Sequence, residues 1–150
     1  MTDFYVEISL RAEICSSGDE FGLIFRSDPM IGQYRFGLRC EGGVRANRAV
    51  GNAVFALVSR DQTNIIVPGP PQENLLAVWA SGNQLRFFVN QVETFSVRDS
   101  TFSIGSVGVY IHSGNTGQTT VSFDNLIIRS ATPAPTNTPT PDFREEADDS

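Results

Sequence analysis

The chain has 150 residues, 40% of them hydrophobic, 10% aromatic and 19% charged, enough apolar material for one packed domain and too much for a chain disordered throughout. Its formal net charge is −6, and all eleven basic residues are arginine. That balance argues against a nucleic-acid binder relying on phosphate neutralisation. The lack of lysine excludes Schiff-base and P-loop chemistry for this chain acting alone. Thirteen glycines and eleven phenylalanines among frequent Val, Ile, Ser, Thr and Asn favour strands and turns over helices.

Apolar residues then recur with a period of two. Phe4, Val6, Ile8 and Leu10 alternate with Tyr5, Glu7, Ser9 and Arg11, the pattern of a half-buried strand, and Ser16 to Asp19 form a turn. Phe21, Leu23 and Phe25 make the inward face of a second strand ending at Asp28 and Pro29, and Tyr34, Phe36 and Leu38 that of a third ending at Glu41 to Gly43. From Val44 to Pro71 the pattern weakens: Ala53–Arg60 and Asn64–Val67 are short strands at best, and Pro68 to Pro71 enforce a loop. Leu75–Ala80, the turn Ser81-Gly82-Asn83 and Leu85–Asn90 predict a hairpin. Val92–Val97, Val107–His112 and Thr119–Arg129 complete the series. Eight to eleven short strands, with no helical periodicity over three turns, predict an all-β, antiparallel two-sheet sandwich.

Residues 1–129 are expected to fold and residues 130–150 to form a linker and tail. Ala131 to Pro141 reads ATPAPTNTPTP, a spacer in which alternating proline prevents helix and ladder bonding. The same Thr/Pro interleaving suits O-glycosylation on a secreted or cell-surface protein, though an unmodified terminus fits equally. Five acids and one arginine give this tail −4, leaving −2 for the body. Met1 to Ile14 lacks the basic and uninterrupted apolar regions of a signal peptide, so any export signal is expected either to have been removed or to lie in a longer parent protein. No run approaches the roughly 18 apolar residues of a membrane span.

The order of segments resembles the concanavalin A-like jelly rolls, in particular laminin G-like and glucanase-like modules of secreted bacterial proteins. The matching stretches are Asp19–Arg26, Tyr34–Leu38, Asn74–Trp79 leading through Gly82 to Leu85–Asn90, Asp99–Phe102, Gly105–Val109 and Phe123–Asn125. One departure is Gln91, where such modules commonly carry Gly. The resemblance implies two packed sheets of six or so strands, adjacent first and last strands, and a concave face on which glycan-binding relatives hold their ligand. Some relatives bind Ca²⁺ near a sheet edge. Asp99, Asp124 and Asn125 offer suitable oxygens without a calcium-loop spacing, so the metal is left open and no cofactor is assigned.

Cys15 and Cys40 are the only cysteines and sit on one side of the first three-strand meander. They fit either a disulfide or two buried thiols, and the export suggested by the tail favours the bridge. His112, the sole histidine, has no G-x-S-x-G, H-E-x-x-H or C-x-x-C context to make it catalytic or metal-binding. Glycosidases of this architecture place two carboxylates on one strand as E-x-D-x-x-E, a pattern missing here. Asp3, Glu7 and Glu13 read as surface charges, so no catalytic residue is assigned.

If the core set points inward, Arg26, Arg35, Arg39, Arg86, Phe88, Tyr110 and His112 point the other way. Forked donors beside flat rings suit hydroxyl- and carboxylate-bearing glycans. The expected ligand-binding set is Arg35, Arg39, Arg86, Phe88, Tyr110 and His112, with Trp79 read as core. An ordinary solvated sheet face has the same composition. The sequence thus predicts a non-catalytic module recognising a glycan or a surface protein, without nucleic acid or a membrane span. Two alternatives stand: an assembly protein self-associating through edge strands or the tail, and a glycoside-processing hydrolase.

Overall fold

A computed structural model describes residues 2–60, 71–114, 117–132 and 134–135, with the side chains of 59 and 60 left aside. The short strand expected at Asn64–Val67 and the acidic end of the chain lie outside the described residues. Ten strands run in chain order: β1 (Phe4–Ile14), β2 (Glu20–Asp28), β3 (Gly32–Arg39), β4 (Val44–Val50), β5 (Ala53–Arg60), β6 (Gln72–Ser81), β7 (Gln84–Val89), β8 (Val92–Arg98), β9 (Ser106–His112) and β10 (Thr120–Arg129). They form two antiparallel sheets of five, ordered β10-β1-β6-β7-β8 and β5-β4-β3-β2-β9. This is a concanavalin A-like jelly-roll sandwich, with five strands per sheet among the described residues where the resemblance implies six or so. The first and last strands are paired, Tyr5 opposite Arg129. Among the described residues no helix is long and apolar enough to cross a membrane.

The period of two explains the core. Phe4, Val6, Ile8 and Leu10 of β1 face Phe21, Leu23 and Phe25 of β2 and Phe36 and Leu38 of β3, with Leu76, Val78, Leu85, Phe87 and Val89 from β6 and β7. Phe87 is the aromatic hub: its ring centroid lies 4.8 Å from Phe36, 5.1 Å from Phe95 and 6.0 Å from Phe25, tilted contacts that add to the burial of each ring. Cys15 and Cys40 form the expected disulfide, their Cα atoms 5.8 Å apart, which joins the end of β1 in one sheet to the end of β3 in the other. The turn beside it is held by Asp19, wholly buried, which accepts from the Ser16 and Gly114 amides and the Thr119 hydroxyl. Burial works against the Asp19 anion, yet these bonds hold its carboxyl below the usual range.

Two expectations need correction. Val44–Val50, irregular by its sequence pattern, is a full strand between β3 and β5. Its inward positions, opposite Leu38, Phe36 and Tyr34 of β3, are Val44, Ala46 and Arg48, so a small residue and an arginine paired with Asp99 hide the period, while the bulge opposite Asn47 lies in β5 at Leu57. Arg26 does not join an outer face. A register shift in β2 between Phe25 and Asp28 leaves Arg26 at φ 48° and turns its side chain into the end of the sandwich, 1% exposed. There it donates to the carbonyls of Thr2, Gly82 and Phe102 and meets Asp3 at 3.4 Å.

Candidate functional site

The outer face of the second sheet is built by strict alternation. Glu20, Gly22 and Ile24 of β2 lie between His112, Tyr110 and Gly108 of β9 on one side and Arg39, Gly37 and Arg35 of β3 on the other. Arg45 and Asn47 of β4 extend the last two rows. In the middle row two glycines stand side by side, Gly22 opposite Gly37, and they leave a slot in the sheet surface. The Tyr110 phenol lies in it, so that a Cβ on Gly37 would collide with the Tyr110 hydroxyl. Any larger residue there would close the slot.

Tyr110 therefore reaches across β2, and its hydroxyl donates to Glu20 Oε2 at 2.5 Å. Asn47 Nδ2 donates to the same oxygen at 3.4 Å. The Arg35 guanidinium sits 5.5 Å from the ring centroid of Tyr110, a cation–π distance. With the Gln33 amide oriented to suit its neighbours, Gln33 accepts from Arg35 Nε at 2.9 Å and donates to Ser27, which fixes the arginine from behind. Arg39 Nε donates to Glu41 at 3.1 Å, and Glu41 also accepts from the Gly18 amide. Burial, then the charge and hydrogen bond of Glu20, push the Tyr110 phenol well above its ordinary range. It stays a neutral donor at physiological pH. The result is one aromatic plate, one anchored carboxylate, and arginine and amide donors within one patch. Vicinal hydroxyls can be recognised by such a carboxylate–guanidinium pairing while the ring takes an apolar C–H face.

The six expected ligand residues are divided between the two sheets. Arg35, Arg39, Tyr110 and His112 share the face just described. Arg86 and Phe88 of β7 lie on the outer face of the other sheet, paired to Trp79 and Ala77 of β6. Phe88 and Trp79 are 4% and 9% exposed and form a small cluster with Ala77 and Ala131, separate from the inter-sheet core. Trp79 is thus buried, but outside the main core. Glu20, Arg45, Asn47, Gly22 and Gly37 are not singled out by the sequence. Parity places Glu20 and Gly22 outward, but nothing in one strand says that a tyrosine 90 residues from Glu20 will lie on them.

The candidate calcium oxygens are dispersed. Asp99 follows β8 and is engaged by Tyr34, Arg48 and the Thr101 amide, whereas Asp124 and Asn125 are on β10 at the opposite edge of that sheet. Among the described residues no three His, Cys, Asp or Glu side chains gather closely enough to hold a metal ion. The carboxylates nearest to a hydrolytic pair are each occupied: Glu7 accepts from Tyr5, Glu13 pairs with Arg11 at 3.3 Å, and Asp3 accepts from the Gly82 amide.

No protein-family model and no curated sequence is similar enough to this chain to count as a match. Solved structures are. A carbohydrate-binding module, CBM66, from Bacillus subtilis superposes with a TM-score of 0.72 at 19% identity, covering 87% of this chain and 76% of its own. Sheep galectin-11, solved in complex with glycerol, gives 0.59 at 16% identity over 85% of this chain and 90% of its own. The GH43 protein BlXynB of Bacillus licheniformis gives 0.62 at 13% identity, but only 28% of that longer chain takes part. At these identities the likeness is one of fold.

Proposed function

We propose that this protein is a non-catalytic carbohydrate-binding module whose site is the outer face of β9, β2, β3 and β4. The observation that carries the reading is Tyr110 laid over paired glycines, with its hydroxyl on Glu20 and the Arg35 guanidinium over its ring. The overlap with CBM66 and galectin-11 supports a sugar-binding sandwich. In this reading Tyr110 supplies the plate, Glu20 and Asn47 anchor hydroxyls, and Arg35 and Arg39 add donors, with His112 at the rim. A disulfide joining the two sheets suits an extracellular or cell-surface setting, where such bonds persist. The hydrolase alternative has weaker support, since the catalytically named neighbour is matched over a minor part of its length.

The test is glycan-array screening followed by titration calorimetry. Tyr110→Ala and Arg35→Ala should each weaken binding at least about tenfold, the scale of a lost charged or stacking contact. Arg86→Ala, on the opposite face, should leave it unchanged. Equal loss in all three variants, or no loss in either of the first two, places the ligand elsewhere.

One observation favours the assembly reading as a second function. β9 and β10 are edge strands at the same side of the sandwich, and they leave Val109, Ile111, Leu126 and Ile128 between 42% and 52% exposed. Open, apolar edges invite pairing with another chain. Sedimentation over a wide concentration range decides it: a single monomeric species throughout removes this reading.

A further inference from the structure

On the outer face of the first sheet, cations and rings form a ladder across four strands. The register places Arg129, Tyr5, Trp79 and Arg86 side by side on β10, β1, β6 and β7. The Arg129 guanidinium is 4.3 Å from the Tyr5 ring centroid. That of Arg86 is 5.4 Å from Trp79 and 5.5 Å from Phe88, and Glu93 holds it from below through two bonds of 2.8 and 3.0 Å. The Trp79–Arg86 end of the ladder is already covered, while Arg129 stays exposed. After β10 the chain turns at Ser130, whose hydroxyl both donates to the Thr132 carbonyl and accepts from the Thr132 amide. It then crosses the face: the Trp79 indole donates to the Ala131 carbonyl at 2.7 Å, and Arg86 Nη1 donates to the Pro135 carbonyl at 3.1 Å. Ala131 itself is only 9% exposed, packed among Trp79, Phe88 and Ala77.

We propose that this face is a receptor for an extended Thr/Pro-rich segment, occupied in cis by the chain's own residues from Ala131 to Pro135. The chemistry is specific to such a ligand. A proline-rich strand has few N–H groups and offers outward carbonyls, and side-chain N–H donors beside flat rings are what captures it. Trp79 and Arg86 provide two such donors, one for the carbonyl of Ala131 and one for that of Pro135, and Phe88 and Trp79 provide the apolar bed. Ala131 and Pro135 lie on the face opposite Tyr110, so this contact and the proposed glycan site occupy different sheets.

Trp79 is the only tryptophan, so its single indole N–H reports on the contact directly in the full chain. In a ¹H–¹⁵N spectrum that proton should exchange with solvent at least about tenfold more slowly than a free indole, as a hydrogen-bonded buried group does, and acrylamide should quench Trp79 emission weakly. Ala131→Asp, which puts a charge into the apolar bed, should speed exchange, shift the emission to the red and increase quenching, with the far-ultraviolet circular dichroism retained. Adding the free peptide ATPAPTNTPTP to that variant should restore protection. An indole in the unaltered chain that exchanges and quenches like free tryptophan overturns the proposal, and that measurement does not depend on any variant folding. Protection that falls on dilution overturns the cis assignment, because the segment then comes from a second copy.

Discussion

The two outer faces of this sandwich are made of the same materials and differ in what lies over them. Each has arginine against an aromatic ring and a glutamate paired to one of them: Arg35, Tyr110 and Glu20 on the second sheet, Arg86, Trp79 and Glu93 on the first. On the second sheet the ring lies flat in a glycine slot, and half-buried arginines and the exposed His112 surround it. On the first sheet the carbonyls of Ala131 and Pro135 take the donors that Trp79 and Arg86 present. Residue types alone therefore do not mark a binding face. What decides is whether the chain itself crosses the face.

The sharpest way to break this contrast is to fill the slot. Gly37→Val puts branched carbon where the Tyr110 hydroxyl lies and within 2.9 Å of the Phe21 carbonyl. The overpacking is expected to cost about 3 kcal/mol, read as a lowered urea midpoint, and to abolish glycan binding. On the opposite face Arg86→Ala removes the partner of Glu93, whose side chain is 18% exposed, and should cost about 2 kcal/mol, the scale of a broken, partly buried charged hydrogen bond. Its glycan affinity should not move. A variant that loses binding together with stability on the Arg86 face would show that the two faces are not independent.

Alkaline titration sharpens the contrast further, because the chain has three tyrosines and each is raised. Burial, then the Glu7 hydrogen bond, pushes Tyr5 up to about 12. Burial, then the Asp99 hydrogen bond, does the same for Tyr34, and Tyr110 is raised by burial and by the Glu20 charge. Each folded-state value lies above the unfolded value of 10, so the fold favours the protonated phenol. The stability this contributes is fully present below pH 10 and is lost as pH rises through the folded values, toward 12. Tyrosinate absorbance should thus stay low at pH 10 in the native protein and appear for all three residues once it is unfolded. Glu20→Gln should return part of the signal toward pH 10, from Tyr110 alone. A shift of Tyr5 as well would mean that the faces communicate.

How much of this is legible in the sequence depends on the residue. Strands β1, β2, β3, β6 and β7 are plain, because large apolar residues alternate with polar ones and burial of one face enforces the register. β4 is not, since its inward positions Ala46 and Arg48 are a small residue and a charged one that pairs with Asp99. Arg26 fails for a different reason: a bulge in β2 turns an outward position into a buried one. Alternation also says which residues point out of a strand and nothing about which sheet that strand joins. It turns Arg86 and Phe88 outward, where they are found, yet β7 belongs to the sheet of β1 and β6 while β3 and β9 belong to the other. Strand pairing over tens of residues divides the expected site, and that information is not local.

The smallest expected effect tests a single backbone position in the β7–β8 turn. Val89 pairs with Val92, so Asn90 and Gln91 form a two-residue connection, and both have positive φ, 51° and 71°. Turns of this kind match the twist of the strands but require left-handed backbone at both central residues. Asn90 tolerates it and is held besides: its side chain accepts from the Leu75 amide at 2.8 Å and donates to Asn74 at 2.8 Å. Gln91 is exposed and has a Cβ that the left-handed region disfavours by about 1 kcal/mol. Gln91→Gly relieves that strain and increases the entropy of the unfolded chain, which works the other way. The strain relief should outweigh the entropy, giving a gain of about 0.5–1 kcal/mol in a urea unfolding curve, with both faces untouched: glycan affinity, Trp79 protection and the tyrosine titration unchanged. Asn90→Ala should move stability in the opposite direction, because it loses the side-chain bonds to Leu75 and Asn74. If the glycine variant is less stable than the parent, Gln91 contributes a contact beyond the turn and its departure from the usual glycine is a selected feature of the hairpin.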